Sequence, residues 1–186
     1  MLIANIAPTY LIYGVPNWQD VNIILARGYL EANSNGYIPT KLLFQNIPRE
    51  NKQSIFDYGY IFILDTKLLK KDKFKIVTPL NYMGYGMGNL KRMPDMNVLI
   101  SDINKFVKSS TDPSSYLLSH DIFFTKNIDL HKYCKFLIIN TNIDADEYMN
   151  QFSYTINAAH NLGISVAFNG KDSGLNNLFA LLQYAQ

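Results

Sequence analysis

Gly59-Tyr60-Ile61-Phe62-Ile63-Leu64-Asp65 holds an unbroken apolar run between a glycine and an acidic turn. Successive side chains of a strand point to opposite faces, so a run this uniform is apolar on both sides. Such a strand must be covered twice, and parallel sheets with helices on each face do that. The stretch therefore predicts one α/β domain over residues 1–186. Its expected architecture is a three-layer, Rossmann-like (flavodoxin-like) fold around a mostly parallel sheet of five to six strands.

Upstream, residues 2–7 are a short apolar run stopped by Pro8, which suits a buried first strand. A loop through Tyr13-Gly14-Val15-Pro16 follows, and Asn17 caps a helix with Asp20 in its first turn. Trp18, Val21, Ile24, Leu25 and Tyr29 recur at helical spacing, predicting a helix over residues 18–33 ended by Asn35-Gly36. Residues 41–45 predict a second strand.

Downstream, residues 74–78 predict a strand ended by Pro79. Residues 81–95 read as a glycine- and methionine-rich loop, 97–108 as a helix and 109–115 as a turn-rich linker, while 116–124 fit no single pattern. Residues 136–141 are a β-branched strand. Asp144 and Glu147 form a capping box for a helix that runs to Gly163. Residues 165–168 predict another strand, and Ser173 caps a last helix. Strand, helix and strand in that order make a βαβ unit.

At 186 residues and 48% hydrophobic content the chain can bury a core without staples. A net charge of +2 points to neither nucleic acid nor a membrane surface. Lys67, Lys70, Lys71, Lys73 and Lys75 are interrupted by Asp72 and read as a solvated turn. Cys134 is the single cysteine, so no internal disulfide forms, and its position before an apolar run marks a core thiol. The start carries no secretory pattern and no run reaches eighteen apolar residues, which together predict a cytoplasmic protein.

In open parallel sheets, ligands bind beyond the carboxyl ends of the strands. The loops expected there contain Thr9 and Tyr13, then Asp65, then residues 81–88, then Asn140, Asn142 and Asp144, and finally Asn169. These groups are mostly amides and hydroxyls, suited to sugar, base or phosphate edges. In Met83-Gly84-Tyr85-Gly86-Met87-Gly88, the alternating Gly84, Gly86 and Gly88 allow close backbone approach and an anion nest, although the spacing matches neither a P-loop nor G-x-G-x-x-G. Asp65, Asp144 and Asp146 are the carboxylates to inspect for catalysis, and helix capping already accounts for Asp144. His120, His131 and His160 lack metal-ligand spacing, and neither a metal nor another cofactor is expected.

Two resemblances extend this reading. Leu2 to Pro8, Tyr13 to Pro16, Leu25 to Glu31 and Asp57 to Ile63 give a strand, a proline loop, a helix and a strand. That pattern over residues 1–65 resembles the cobalamin-binding-like Rossmann domain of radical SAM enzymes. The D-x-H-x-x-G that ligates cobalt is absent, and one cysteine cannot make C-x-x-x-C-x-x-C, so the resemblance implies a fold without that chemistry. Residues 136–168, with Ala159-His160-Asn161-Leu162-Gly163, are similar in outline to nucleoside deoxyribosyltransferases and N-glycosidases. The place of that family's nucleophilic Glu falls at or beside Thr155 here.

Together these readings predict a domain binding a small nucleotide- or nucleoside-like ligand, with turnover undecided. The alternative is an accessory protein of a phage or mobile element that binds a host protein, supported by many Tyr and by Met83, Met87, Met93 and Met96. A glycosidase-like enzyme is the second alternative. No nucleic acid or membrane is expected as a partner, and oligomerisation is open.

Overall fold

A strand begins at Pro8, and the one expected over residues 2–7 lies outside the described residues. The computed structural model describes residues 8–44, 58–71, 74–76, 91–93, 120–140 and 152–170. In it β1 runs Pro8–Val15, with proline at the first position, where its missing N–H costs least. The segment expected as a loop, Tyr13 to Val15, is the end of that strand.

Helix α1 spans Trp18–Arg27. Asn17 caps it as its sequence predicts, accepting from the Asp20 amide at 2.9 Å. The helix stops earlier than its apolar period suggests, because Gly28 takes a left-handed conformation (φ +77°) that ends the helix. Tyr29 and Leu30, which continue the period, form the short strand β2 (Tyr29–Leu30) instead. Strand β3 spans Ile38–Phe44 and β4 spans Tyr60–Leu64, all of β4 being buried.

A short helix α2 (Leu68–Lys71) carries part of the lysine cluster, with Leu68 and Leu69 buried beneath it. Strands β5 (Phe74–Ile76), β6 (Lys91–Met93), β7 (His120–Phe124) and β8 (Ile128–Asp129) follow. Asp129 caps the single turn α3 (Leu130–Tyr133), which leads into β9 (Cys134–Asn140). Helix α4 (Ser153–Asn161) and β10 (Ser165–Asn169) complete the described elements.

Eight strands form one sheet in the order β10-β9-β4-β1-β3-β7-β5-β6, and β2 pairs with β8 in a separate two-stranded ladder. Only β9 and β10 are parallel, with Phe136 beside Ser165 and Asn140 beside Asn169. The other described neighbours are antiparallel. The expected mostly parallel, three-layer Rossmann-like sheet is therefore not the fold. The sheet is mixed and chiefly antiparallel, and the described helices are few.

The reason lies in what the apolar run of β4 encodes. Burial on both faces requires two covers but sets no strand direction. Both faces are buried here. Phe62, Leu64, Leu137 and Ile139 face the core shared with Val21 and Leu25 of α1 and Ile156 and Ala159 of α4. On the opposite side, Ile12, Ile61, Ile63 and Ile138 are at most 2% exposed. The one βαβ-like piece among the described residues, with α4 in the chain between parallel β9 and β10, is where the sequence has strand, helix and strand in series.

Candidate functional site

Antiparallel pairing redistributes the residues nominated for a common rim. Asp65 follows β4 beside the start of β9, its backbone N–H donating to the Tyr133 carbonyl at 2.8 Å. Asn169 ends β10 beside Asn140. Seven residues of β9 separate these two places, roughly 20 Å at strand rise. Thr9 lies near the start of β1 and Tyr13 near its other end. Gly84, Gly86, Gly88, Asn142, Asp144 and Asp146 lie outside the described residues.

The nominated side chains that are described have structural partners. Asp65 Oδ1 accepts from the Lys67 amide at 2.8 Å, forming the turn into α2. Asn169 is 4% exposed, and its Nδ2 donates to Asn140 Oδ1 at 2.9 Å. Asn140 in turn donates through Nδ2 to the Tyr58 carbonyl at 2.7 Å. This amide chain ties β10, β9 and the lead-in to β4 together at one end of the sheet. Tyr13 packs its ring 6.4 Å from that of Phe62, and burial, with Asp20 nearby, pushes its hydroxyl pKa up. Tyr13 also borders a hollow of about 250 Å³ with Gly14, Lys41, Tyr58 and Phe123.

His131 Nδ1 lies 2.8 Å from the Leu162 carbonyl. A carbonyl only accepts, so Nδ1 carries the proton and the ring clasps α3 to the end of α4. Cys134 is buried, and burial pushes its thiol pKa up to about 12 despite a backbone hydrogen bond to Phe136. That is the opposite of what a nucleophile needs. Among the described residues no three His, Cys, Asp or Glu gather to hold a metal ion, and no helix is long and apolar enough to cross a membrane.

A different place collects the exposed apolar surface. Among the described residues the large exposed hydrophobic side chains are Trp18 (57%), Ile23 (49%) and Tyr154 (63%). All three line one cleft of about 730 Å³. Its α1 wall is Trp18, Gln19, Asn22 and Ile23, positions i, i+1, i+4 and i+5, which form a continuous strip along the helix. Phe152, Tyr154 and Thr155 at the start of α4 make the other wall, and Tyr60 of β4 contributes from the sheet.

The floor is held firmly. Thr155 Oγ1 donates to Asn22 Oδ1 at 2.7 Å, joining the two helices. Tyr60 and Phe152 meet edge to face, with ring centroids 6.4 Å apart, and Phe152 meets Phe168 at 5.9 Å. Burial raises the Tyr60 pKa, so its hydroxyl stays neutral at ordinary pH. None of the described lining residues carries a charge.

Trp18 was expected on the buried stripe of α1, and the cleft was not foreseen. The available signal was a pair of large apolar residues, Ile23 off the stripe of α1 and Tyr154 on α4, whose buried residues are Thr155, Ile156 and Ala159. One apolar residue off its stripe is ordinary, but several brought to one concavity mark a candidate interaction surface.

No protein-family model matches the sequence. The chain is similar to the uncharacterized protein L54 of Acanthamoeba polyphaga mimivirus, at 31% identity over 140 residues, an alignment covering 68% of this chain and 75% of the viral protein. With that identity sustained over most of both chains, this protein belongs to the family of the mimivirus protein L54.

Proposed function

We propose that this chain is a cytoplasmic accessory protein of a virus-borne family, and that it works by holding a partner protein in the cleft between α1 and α4. The carrying observation is the convergence of Trp18, Ile23 and Tyr154 on that one cleft. Scattered exposed apolar residues are ordinary, but three at one concavity resemble an interaction site. Aromatic side chains are favoured at such places because a ring offers large contact area with little entropy to lose.

Binding is a better reading than turnover for these residues. The raised pKa values of Tyr13, Tyr60 and Cys134 all lie on the alkaline side, where none serves as an acid or base near neutrality. A glycosidase-like reaction needs a carboxylate in the site, and none is among the described residues lining the cleft. The mimivirus relative is compatible with an accessory role.

A small ligand is the second reading, favoured by a volume of about 730 Å³, within the range of small-molecule pockets. With no cation among the described lining residues, a nucleoside fits better than a nucleotide, whose phosphate would lack a counter-charge.

The deciding experiment compares the wild-type chain with a Trp18→Ala, Ile23→Asp, Tyr154→Ala variant as bait in lysate of infected cells. A stoichiometric partner, identified by mass spectrometry, should be held by the wild type and lost by the variant. Recovery of the same partner by both baits would remove the cleft from the function.

A further inference from the structure

We infer that the occupant of the α1–α4 cleft is a short linear segment of the partner, with an apolar anchor side chain and no charge at its buried positions. This inference rests on the accessory-protein reading above and specifies what that partner presents.

Charge is the first argument. The described lining consists of aromatic, aliphatic, amide and hydroxyl side chains, without a cation or a carboxylate. A charged group entering it would give up its hydration without an opposite charge to replace it. A neutral apolar group instead loses only unfavourable contact with water. The described lining thus selects against charge.

Hydrogen bonding is the second argument. Asn22 Oδ1 already accepts from Thr155, which fixes the amide with Nδ2 as its remaining donor. No partner for that Nδ2 appears among the described residues. Asn22 is half-buried, so water can meet that donor until a carbonyl oxygen replaces it, and every residue of a peptide segment carries one. Gln19 on the adjacent position of the same strip brings a second amide. Anchor side chain and backbone carbonyl together describe a peptide more fully than they describe a sugar or a hydrocarbon.

Shape is the third. The α1 strip is about one and a half turns long, roughly 8 Å at helix rise. That length receives a few residues of a peptide and not a whole domain face. Trp18 and Tyr154 border it with more than half of each side chain still open to a newcomer.

Trp18 is the sole tryptophan of the chain, so its emission reports the cleft without labelling. The test is to pan phage-displayed linear peptides against the wild-type protein, with the triple variant as counter-selection, and to titrate the enriched peptides by Trp18 fluorescence. Nucleosides and neutral monosaccharides are titrated in parallel. The expected result is a consensus with an aromatic or aliphatic anchor flanked by uncharged residues, a blue shift of Trp18 on binding, and affinity that changes less than about twofold between low and high salt. Ile23→Asp should weaken it by about tenfold or more, whereas Tyr154→Phe, which keeps the ring, should stay within about threefold. Melting curves of both variants establish that they fold, as exposed substitutions should.

A consensus rich in Lys, Arg, Asp or Glu, with steep salt dependence, would overturn the inference while leaving a cleft-bound protein partner standing. Absence of any cleft-dependent peptide would overturn it as well. If the nucleoside or sugar titrations then shift Trp18, the accessory-protein reading falls too, in favour of the small ligand.

Discussion

At Gly14 the sheet leaves no space for a side chain, because a Cβ there would collide with the ring of Tyr58. Gly14→Ala should therefore destabilise the protein by about 1–3 kcal/mol, the usual cost of overpacking, as measured by urea unfolding. A normal unfolding midpoint for that variant would mean the Tyr58 ring moves aside freely. Cys134 makes a prediction about pH. Its folded pKa of about 12 lies above its ordinary 9.0, so the folded state keeps the proton longer than the unfolded chain does. Stability from this group is intact below pH 9 and is lost progressively between pH 9 and about 12. Cys134→Ala should show a shallower alkaline loss than the wild type when both are unfolded at pH 8 and pH 10.5. The same burial predicts that the native thiol resists alkylation at pH 8 until the protein unfolds. Of these two residues, the cysteine's burial was legible from its apolar neighbours. The role of Gly14 was not, since the ring that fills its place comes from Tyr58, at the lead-in to the neighbouring strand β4 and far along the chain.

At the scale of elements, α1 and α4 are coupled by the 2.7 Å bond between Thr155 and Asn22. Thr155 is buried, so removing its hydroxyl orphans an acceptor in the cleft floor. A double-mutant cycle with Asn22→Ala and Thr155→Val should return a coupling of about 1 kcal/mol. A coupling near zero would show that water replaces the bond at no cost. The start of α1 was readable because Asn17 and Asp20 meet within one turn. Its end was not. Gly28 stops the helix, yet Tyr29 and Leu30 keep the apolar period and find another use opposite Asp129 and Ile128. Local pattern reports which residues seek burial, and here two kinds of structure satisfied the same demand. The turn formed by α3 and the strand β7 lay in stretches with little or no pattern at all.

At the scale of the whole molecule, the centre of the sheet at β4 is out of water on both faces, and this has a direct test. Ile138 and Leu137 are adjacent in β9 and point to opposite faces, and both are fully buried. Ile138→Ala and Leu137→Ala should each cost about 2–5 kcal/mol. If only Leu137→Ala were destabilising, the second face would be open and the account of β4 would fail. The mixed direction of the strands also explains why the polar rim did not assemble. Parallel strands send all their carboxyl ends one way, whereas antiparallel neighbours alternate, and Asp65 and Asn169 end up at opposite ends of the sheet. The cleft between α1 and α4 is the proposed site in the rim's stead, and it exists because helices on one face of a sheet leave a groove wherever their stripes do not meet.

Sequence alone determined which segments are buried and where several of them begin: the two-faced apolar strand at Tyr60–Leu64, the cap at Asn17 and the core position of Cys134. These follow from interactions within a few residues, where side-chain type and spacing set the free energy. Strand direction, the amide chain from Asn169 through Asn140 to Tyr58, and the convergence of Trp18, Ile23 and Tyr154 came only with the tertiary structure. Each depends on pairing between residues far apart in the chain. An apolar run satisfies the hydrophobic effect equally well against a parallel or an antiparallel neighbour, so its composition carries no direction.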